Sequence, residues 1–98
     1  MKIEKTVNGN ETILKLIGSL DTLAAAEFEA ALGPIDRSGS IRIDFTDLEY
    51  IASSGIRLLV AAKLGCDAKG GKIVLCGMNP LVREVFSITG MDEEFTIE

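Results

Sequence analysis

Apolar and polar side chains alternate most regularly at Ile41-Arg42-Ile43-Asp44-Phe45, the pattern of a half-buried strand. Residues 3–7 and 12–17 also read as strands, and Asn8-Gly9-Asn10 between them tolerates the positive φ of a tight turn. A hairpin is therefore predicted at the N-terminal end. Residues 18–22 read as a loop in which Asp21 or Thr22 caps a helix over 23–32 that stops at Gly33-Pro34. A longer helix is predicted from about 55 to 69, with Ile56, Leu59, Val60 and Leu64 as its apolar face and Gly70-Gly71 as its end. Residues 72–76 form a largely apolar strand. Asn79 then caps a last helix with Pro80 in its first turn; Leu81, Val85, Phe86 and Ile88 carry its contacts and Gly90 ends it. Residues 95–97 supply a short edge strand. The order is β-β-α-β-α-β-α. It predicts an α/β fold with a mixed sheet of four to five strands, antiparallel in the first hairpin and parallel through the crossovers.

Composition narrows the class. At 98 residues the chain is expected to be a single domain, with 47% hydrophobic and 26% charged residues, as in ordinary globular proteins. The apolar stretch 56–64 is broken by Arg57 and Lys63 and is too short to span a bilayer. Residues 1–5 mix charged and apolar side chains and lack a signal-peptide core, so a cytoplasmic protein is expected, with no membrane partner. Net charge is −5 and the basic residues are scattered, which argues against direct nucleic-acid binding. Asp92-Glu93-Glu94 and Glu98 read as a solvated tail. Cys66 and Cys76 lie ten positions apart with no CxxC and no histidine in the chain. They read as small apolar residues in a reducing compartment, and no metal or cofactor is expected.

The chemistry-bearing segment is Tyr50-Ile51-Ala52-Ser53-Ser54-Gly55-Ile56-Arg57, where a strand gives way to a helix. Two adjacent hydroxyls stand there with no general base, which makes them poor nucleophilic catalysts but good phosphate acceptors. The plainer reading of Ser53 and Ser54 is a capping pair. Gly55 either lets a partner approach the backbone or answers a tight local geometry. Arg57, in the first turn of the helix, opposes the helix dipole. A partner carboxylate explains it; so does ordinary solvation. Asp21 caps the first helix or stands beside the serines, since both follow strand C-termini, where parallel-sheet sites collect. Tyr50 and Phe45 read as packing residues. With no Walker-type glycine loop, histidine or metal-ligand cluster, an enzyme is not expected.

Four segments in order resemble the STAS domains of bacterial anti-sigma factor antagonists. They are Gly18-Ser19-Leu20-Asp21 with the Ala-rich helix after it, residues 44–56, residues 71–77 and residues 85–91. The resemblance implies a STAS-like fold and a domain that, unphosphorylated, captures an anti-sigma factor serine kinase of the histidine-kinase-like ATPase fold. Such capture frees the sigma factor and so regulates transcription. Serine phosphorylation ends it, and a separate phosphoserine phosphatase restores it. By that resemblance the acceptor is Ser53, two before Gly55, with Ser54 the second choice. The partner-facing set is then Asp21, Thr22, Ser53, Ser54, Gly55, Ile56 and Arg57. The family commonly carries Asp immediately before this serine, where this chain has Ala52. That departure favours an alternative, a constitutive STAS subunit of a transporter complex or signalling scaffold that is not phosphorylated.

Overall fold

A computed structural model describes residues 1–98. The hairpin forms as expected: β1 (Lys2–Asn8) and β2 (Glu11–Leu20) pair antiparallel, Lys2 opposite Ile17 and Asn8 opposite Glu11. β3 (Ser40–Ile51), β4 (Lys72–Cys76) and β5 (Thr96–Ile97) then add in parallel, giving a five-stranded sheet in the order β1-β2-β3-β4-β5. α1 (Ala25–Leu32), α2 (Ser53–Lys69), α3 (Pro80–Ile88) and the single turn α4 (Met91–Glu94) complete the α/β fold. Leu14, Leu16, Ile41, Ile43, Phe45, Ile73 and Leu75 project from one face of the sheet. They join Phe28, Leu32, Leu59, Ala62, Cys66, Val82 and Phe86 in one buried cluster. Phe86 is central, its ring centroid 6.1 Å from both Phe45 and Phe95. On the opposite parity Lys15, Arg42 and Asp44 are only half-buried, and Lys15 pairs with Asp47, Arg42 with Glu98.

Both strands that lead to the site are longer than the alternation predicts. β3 runs on from Phe45 to Ile51, and its buried residues then fall at Leu48 and Ile51, every third position rather than every second. The cause is irregular pairing. Leu14 opposes Ile43 and Leu20 opposes Ile51, so β3 takes eight steps where β2 takes six, with register shifts on either side of Ile17–Gly18. Each bulge adds a residue and turns the following side chains over. β2 likewise continues through Gly18, Ser19 and Leu20, predicted as loop. Gly18 takes φ +106°, and Ser19 and Leu20 pair with Tyr50 and Ile51.

The helices carry further corrections. α1 starts at Ala25 rather than Leu23, because the Asp21 carboxylate accepts the Ala24 N–H at 2.8 Å and holds residues 22–24 as a turn. Its end at Gly33 is as predicted. α2 starts at Ser53, two residues early, and ends at Gly70 in the left-handed region. It buries Gly55, Ile56, Leu59, Ala62 and Cys66; Leu64, on the opposite side at 3.6 residues per turn, is exposed. Asn79 caps α3 as predicted, accepting the Val82 N–H at 2.8 Å. The buried pair on α3, however, is Val82 and Phe86, leaving Leu81 and Ile88 at 55% and 77% exposure. Asp92-Glu93-Glu94 are exposed but form α4 rather than a tail, and deliver Phe95 to the core. Tyr50, read as packing, is 47% exposed, whereas Phe45 is fully buried.

Candidate functional site

β2 and β3 stop together at Leu20 and Ile51, and the Ala52 N–H donates to the Leu20 carbonyl at 2.8 Å. This bond sets Asp21, after β2, beside Ser53, after β3, at the C-terminal edge of the parallel strands. Asp21 caps the turn before α1, and its backbone follows the strand end that pairs with the one leading to Ser53. Thr22 and Leu23 follow on the same loop; Leu23, read as the start of α1, is 88% exposed.

The two serines are not equivalent. Ala52 is the N-cap of α2, with extended backbone (φ −88°, ψ 164°) and no side-chain cap, so neither serine occupies the capping position. Ser53 is the first helical residue and is exposed. Ser54 is half-buried, and its Oγ is buried without any hydrogen-bond partner. The next two residues turn inward. A Cβ on Gly55 would lie 2.7 Å from Leu20 Cδ2 and Cγ and 3.2 Å from Ile51 Cγ1. The glycine therefore answers tight packing of the α2 start against the strand ends. Ile56 is buried beside it. Of the seven residues predicted to face a partner, Asp21, Thr22, Ser53 and Arg57 are exposed, Ser54 is half-buried, and Gly55 and Ile56 face the core.

Arg57 lies one turn after Ser53. The ion pairs of the fold join Lys2 to Glu4, Lys15 to Asp47, Arg42 to Glu11 and Glu98, and Lys63 to Asp67; Arg57 belongs to none of them. An open groove of about 320 Å³ runs between α1 and α2, lined by Ala25, Ala26, Glu29, Ser54, Arg57 and Leu58. The largest depression, about 460 Å³, lies along α3 between Met78 and Asp92 and holds none of the predicted residues. No three His, Cys, Asp or Glu side chains gather as a metal site. No helix is long and apolar enough to cross a membrane. Chemically, the site offers one accessible hydroxyl at a helix start, an unpaired guanidinium and a neighbouring carboxylate. Sequence reasoning missed the exposed Leu23 and Tyr50 that flank it, because apolar residues beside a helix or strand pattern read as core by default.

The family described as Mlab, STAS domain, matches residues 3–97. A Bordetella bronchiseptica protein named as an anti-sigma factor antagonist, BtrV, is 33% identical over 84 residues, spanning 84% of this chain and 72% of that protein. A Thermotoga maritima protein described as an anti-sigma factor antagonist superposes with a TM-score of 0.88 at 21% identity, covering 97% of this chain and 84% of that one. The anti-sigma factor antagonist SpoIIAA in its unphosphorylated form superposes with a TM-score of 0.84 at 23% identity, covering 99% of this chain and 88% of that chain. The two superpositions concern the fold.

Proposed function

Because the chain belongs to the STAS domain, anti-sigma factor antagonist family, we propose that it is a phosphorylation-switched binding module acting on an anti-sigma factor. In this reading the partner is a serine kinase of the histidine-kinase-like ATPase fold, captured while Ser53 is unmodified and released when Ser53 is phosphorylated. A phosphoserine phosphatase resets the switch. The Ser53 oxygen attacks the γ-phosphorus of ATP, the bond to ADP breaks, and the hydroxyl proton passes to a base of the kinase, since this chain has no histidine.

The observation that carries the reading is the exposed Ser53 hydroxyl at the first position of α2, beside a Ser54 hydroxyl that is shut away. A kinase reaches the first and not the second. Phosphorylation adds about −1.5 to −2 charges. A helix N-terminus tolerates such charge, so the domain stays folded and the switch acts at the interface. Like charges brought together across an interface cost several kcal/mol, and about 3 kcal/mol weakens binding more than a hundredfold.

The test is to incubate the protein with candidate anti-sigma kinases and ATP and to locate phosphate by mass spectrometry. Phosphate on Ser53, and loss of kinase binding in Ser53→Asp, are the expected results. The reading fails if no such kinase modifies Ser53 or if Ser53→Asp binds as tightly as the unmodified protein. Ala52, in place of the usual carboxylate, favours one second reading, a constitutive subunit of a transporter or signalling assembly. That subunit would bind its partner equally well with Ser53 or Asp at position 53.

A further inference from the structure

α2 carries apolar or small side chains all round. Ile56, Leu59, Ala62 and Cys66 face the core, while the outward row Ser53, Arg57, Ala61, Leu64 and Ala68 is exposed along its whole length. A helix that is apolar on every side is normally covered on every side. Beside it α1 turns Ala26 and Ala30 to water. Charge divides this two-helix face. α1 carries Glu27 and Glu29 and no cation; α2 carries Arg57, Lys63 and Lys69 against Asp67 alone. Glu29 and Arg57 line one groove from its two helices, yet neither belongs to an ion pair of the fold. Of the charges around them, Asp21 is engaged by the Ala24 N–H and Lys63 by Asp67, while Glu27 and Lys69 are unpaired as well. The bare face of the sheet differs, because Lys15 and Arg42 there are matched within the chain by Asp47, Glu11 and Glu98.

We propose that the α1–α2 face is a twofold interface between two copies of this chain, α1 of each laid along α2 of the other, with Glu29 paired to Arg57 across it. A twofold contact sets one patch against itself. A face built of one acidic and one basic helix is complementary to its own copy in that arrangement. The small residues of both helices let the helix axes approach closely, and Leu64, 63% exposed, supplies the apolar anchor. From the helix lengths the face covers roughly 400–500 Å² per copy. That is the size of a weak, reversible contact rather than an obligate one. Ser53 lies in the same outward row as Arg57, so the dimer covers it. Self-association then shields the acceptor from the kinase as the protein concentration rises. Only this last consequence rests on the reading of Ser53 as the phosphate acceptor.

Sedimentation equilibrium of the full chain tests the dimer, from about 10 µM to about 2 mM at low salt. A dissociation constant of roughly 0.1–1 mM is expected for a contact of this size, rising with salt as the charge pairs are screened. Leu64→Glu is expected to leave the chain monomeric while its melting temperature stays within about 3 °C, as for other exposed positions. Arg57→Glu and Glu29→Arg should each weaken the dimer by about tenfold or more, since each sets like charges together. The two combined should restore it to within about threefold, which a merely structural role for either residue would not do. A chain that stays monomeric at 2 mM overturns the proposal. So does a dimer that survives Leu64→Glu, or one that the combined charge swap fails to recover. A monomer that captures an anti-sigma kinase, and loses it in Leu64→Glu, gives the face to that partner and overturns the proposal too. Failure of every kinase to modify Ser53 sinks the proposed function and the shielding, while sedimentation still decides the dimer.

Discussion

At the residue scale, the site depends on which way each side chain of the Ala52–Arg57 segment turns. Ser54 illustrates it. Its neighbours suggest a cap, yet its hydroxyl is buried without a partner, and such a group costs about 1–3 kcal/mol. Ser54→Ala is therefore expected to raise stability, by about 1 kcal/mol in urea unfolding, whereas loss of a true capping serine would lower it by about as much. Gly55→Ala goes the other way. The added methyl meets Leu20 and Ile51, and overpacking of this kind costs about 1–3 kcal/mol. Denaturation midpoints check both variants. The identity of these residues and their place at a strand–helix junction were legible in the sequence. Their exposure was not, because adjacent residues on a helix point about 100° apart and only the packed strand ends fix which one faces inward.

At the element scale, α3 separates pattern from packing. Leu81, Val85, Phe86 and Ile88 all suit an apolar stripe, but the core receives Val82 and Phe86. Phe86→Ala should cost about 3–5 kcal/mol, while Leu81→Ser and Ile88→Ser should each stay within about 0.5 kcal/mol. Asn79 does two jobs: its carbonyl oxygen caps Val82, and its amide donates to the Leu48 carbonyl at 2.9 Å. Asn79→Ala should therefore lower stability by about 1–2 kcal/mol, seen as a lower melting temperature with α3 loosened from β3 in hydrogen exchange. Asn79-Pro80 marked this helix start in the sequence because capping chemistry is local. The true ends of β2 and β3 did not show, since the bulges that carry β3 to Ile51 exist only in the pairing of two strands.

At the scale of the whole molecule, pH dependence follows from a few carboxylates, amines and one thiol. The Ser38 backbone and hydroxyl hydrogen bonds hold the Asp36 carboxyl below the usual range. Burial opposes ionisation of Asp44, but hydrogen bonds from Thr46 together with the charges of Lys15 and Arg42 outweigh it and leave that group low as well. A depressed carboxylate stabilises the fold above its unfolded pKa and loses that contribution as pH falls through the folded value. Stability should therefore decline below about pH 4. Thr46→Val, which removes the hydroxyl bond to Asp44, should weaken that decline. Lys15 and Lys63 are raised by hydrogen bonds to Asp47 and Asp67, and burial raises the Cys66 thiol. Their contributions are complete at neutral pH and fade only in alkali. With no histidine in the chain, urea unfolding should show a plateau from about pH 6 to 8.

Element order, the mixed sheet, the family and the serine-bearing junction could all be read along the chain. Turn glycines, the Asn79 cap and hydrophobic periodicity act over a few residues and can be read along the chain. Tertiary structure alone decided that β2 and β3 end together, that Gly55 packs on Leu20 while Ser53 stays outside, and that the α2 start is left uncapped beside a free arginine. Each of those depends on where a distant segment lies, and that is settled only when the sheet closes under the helices.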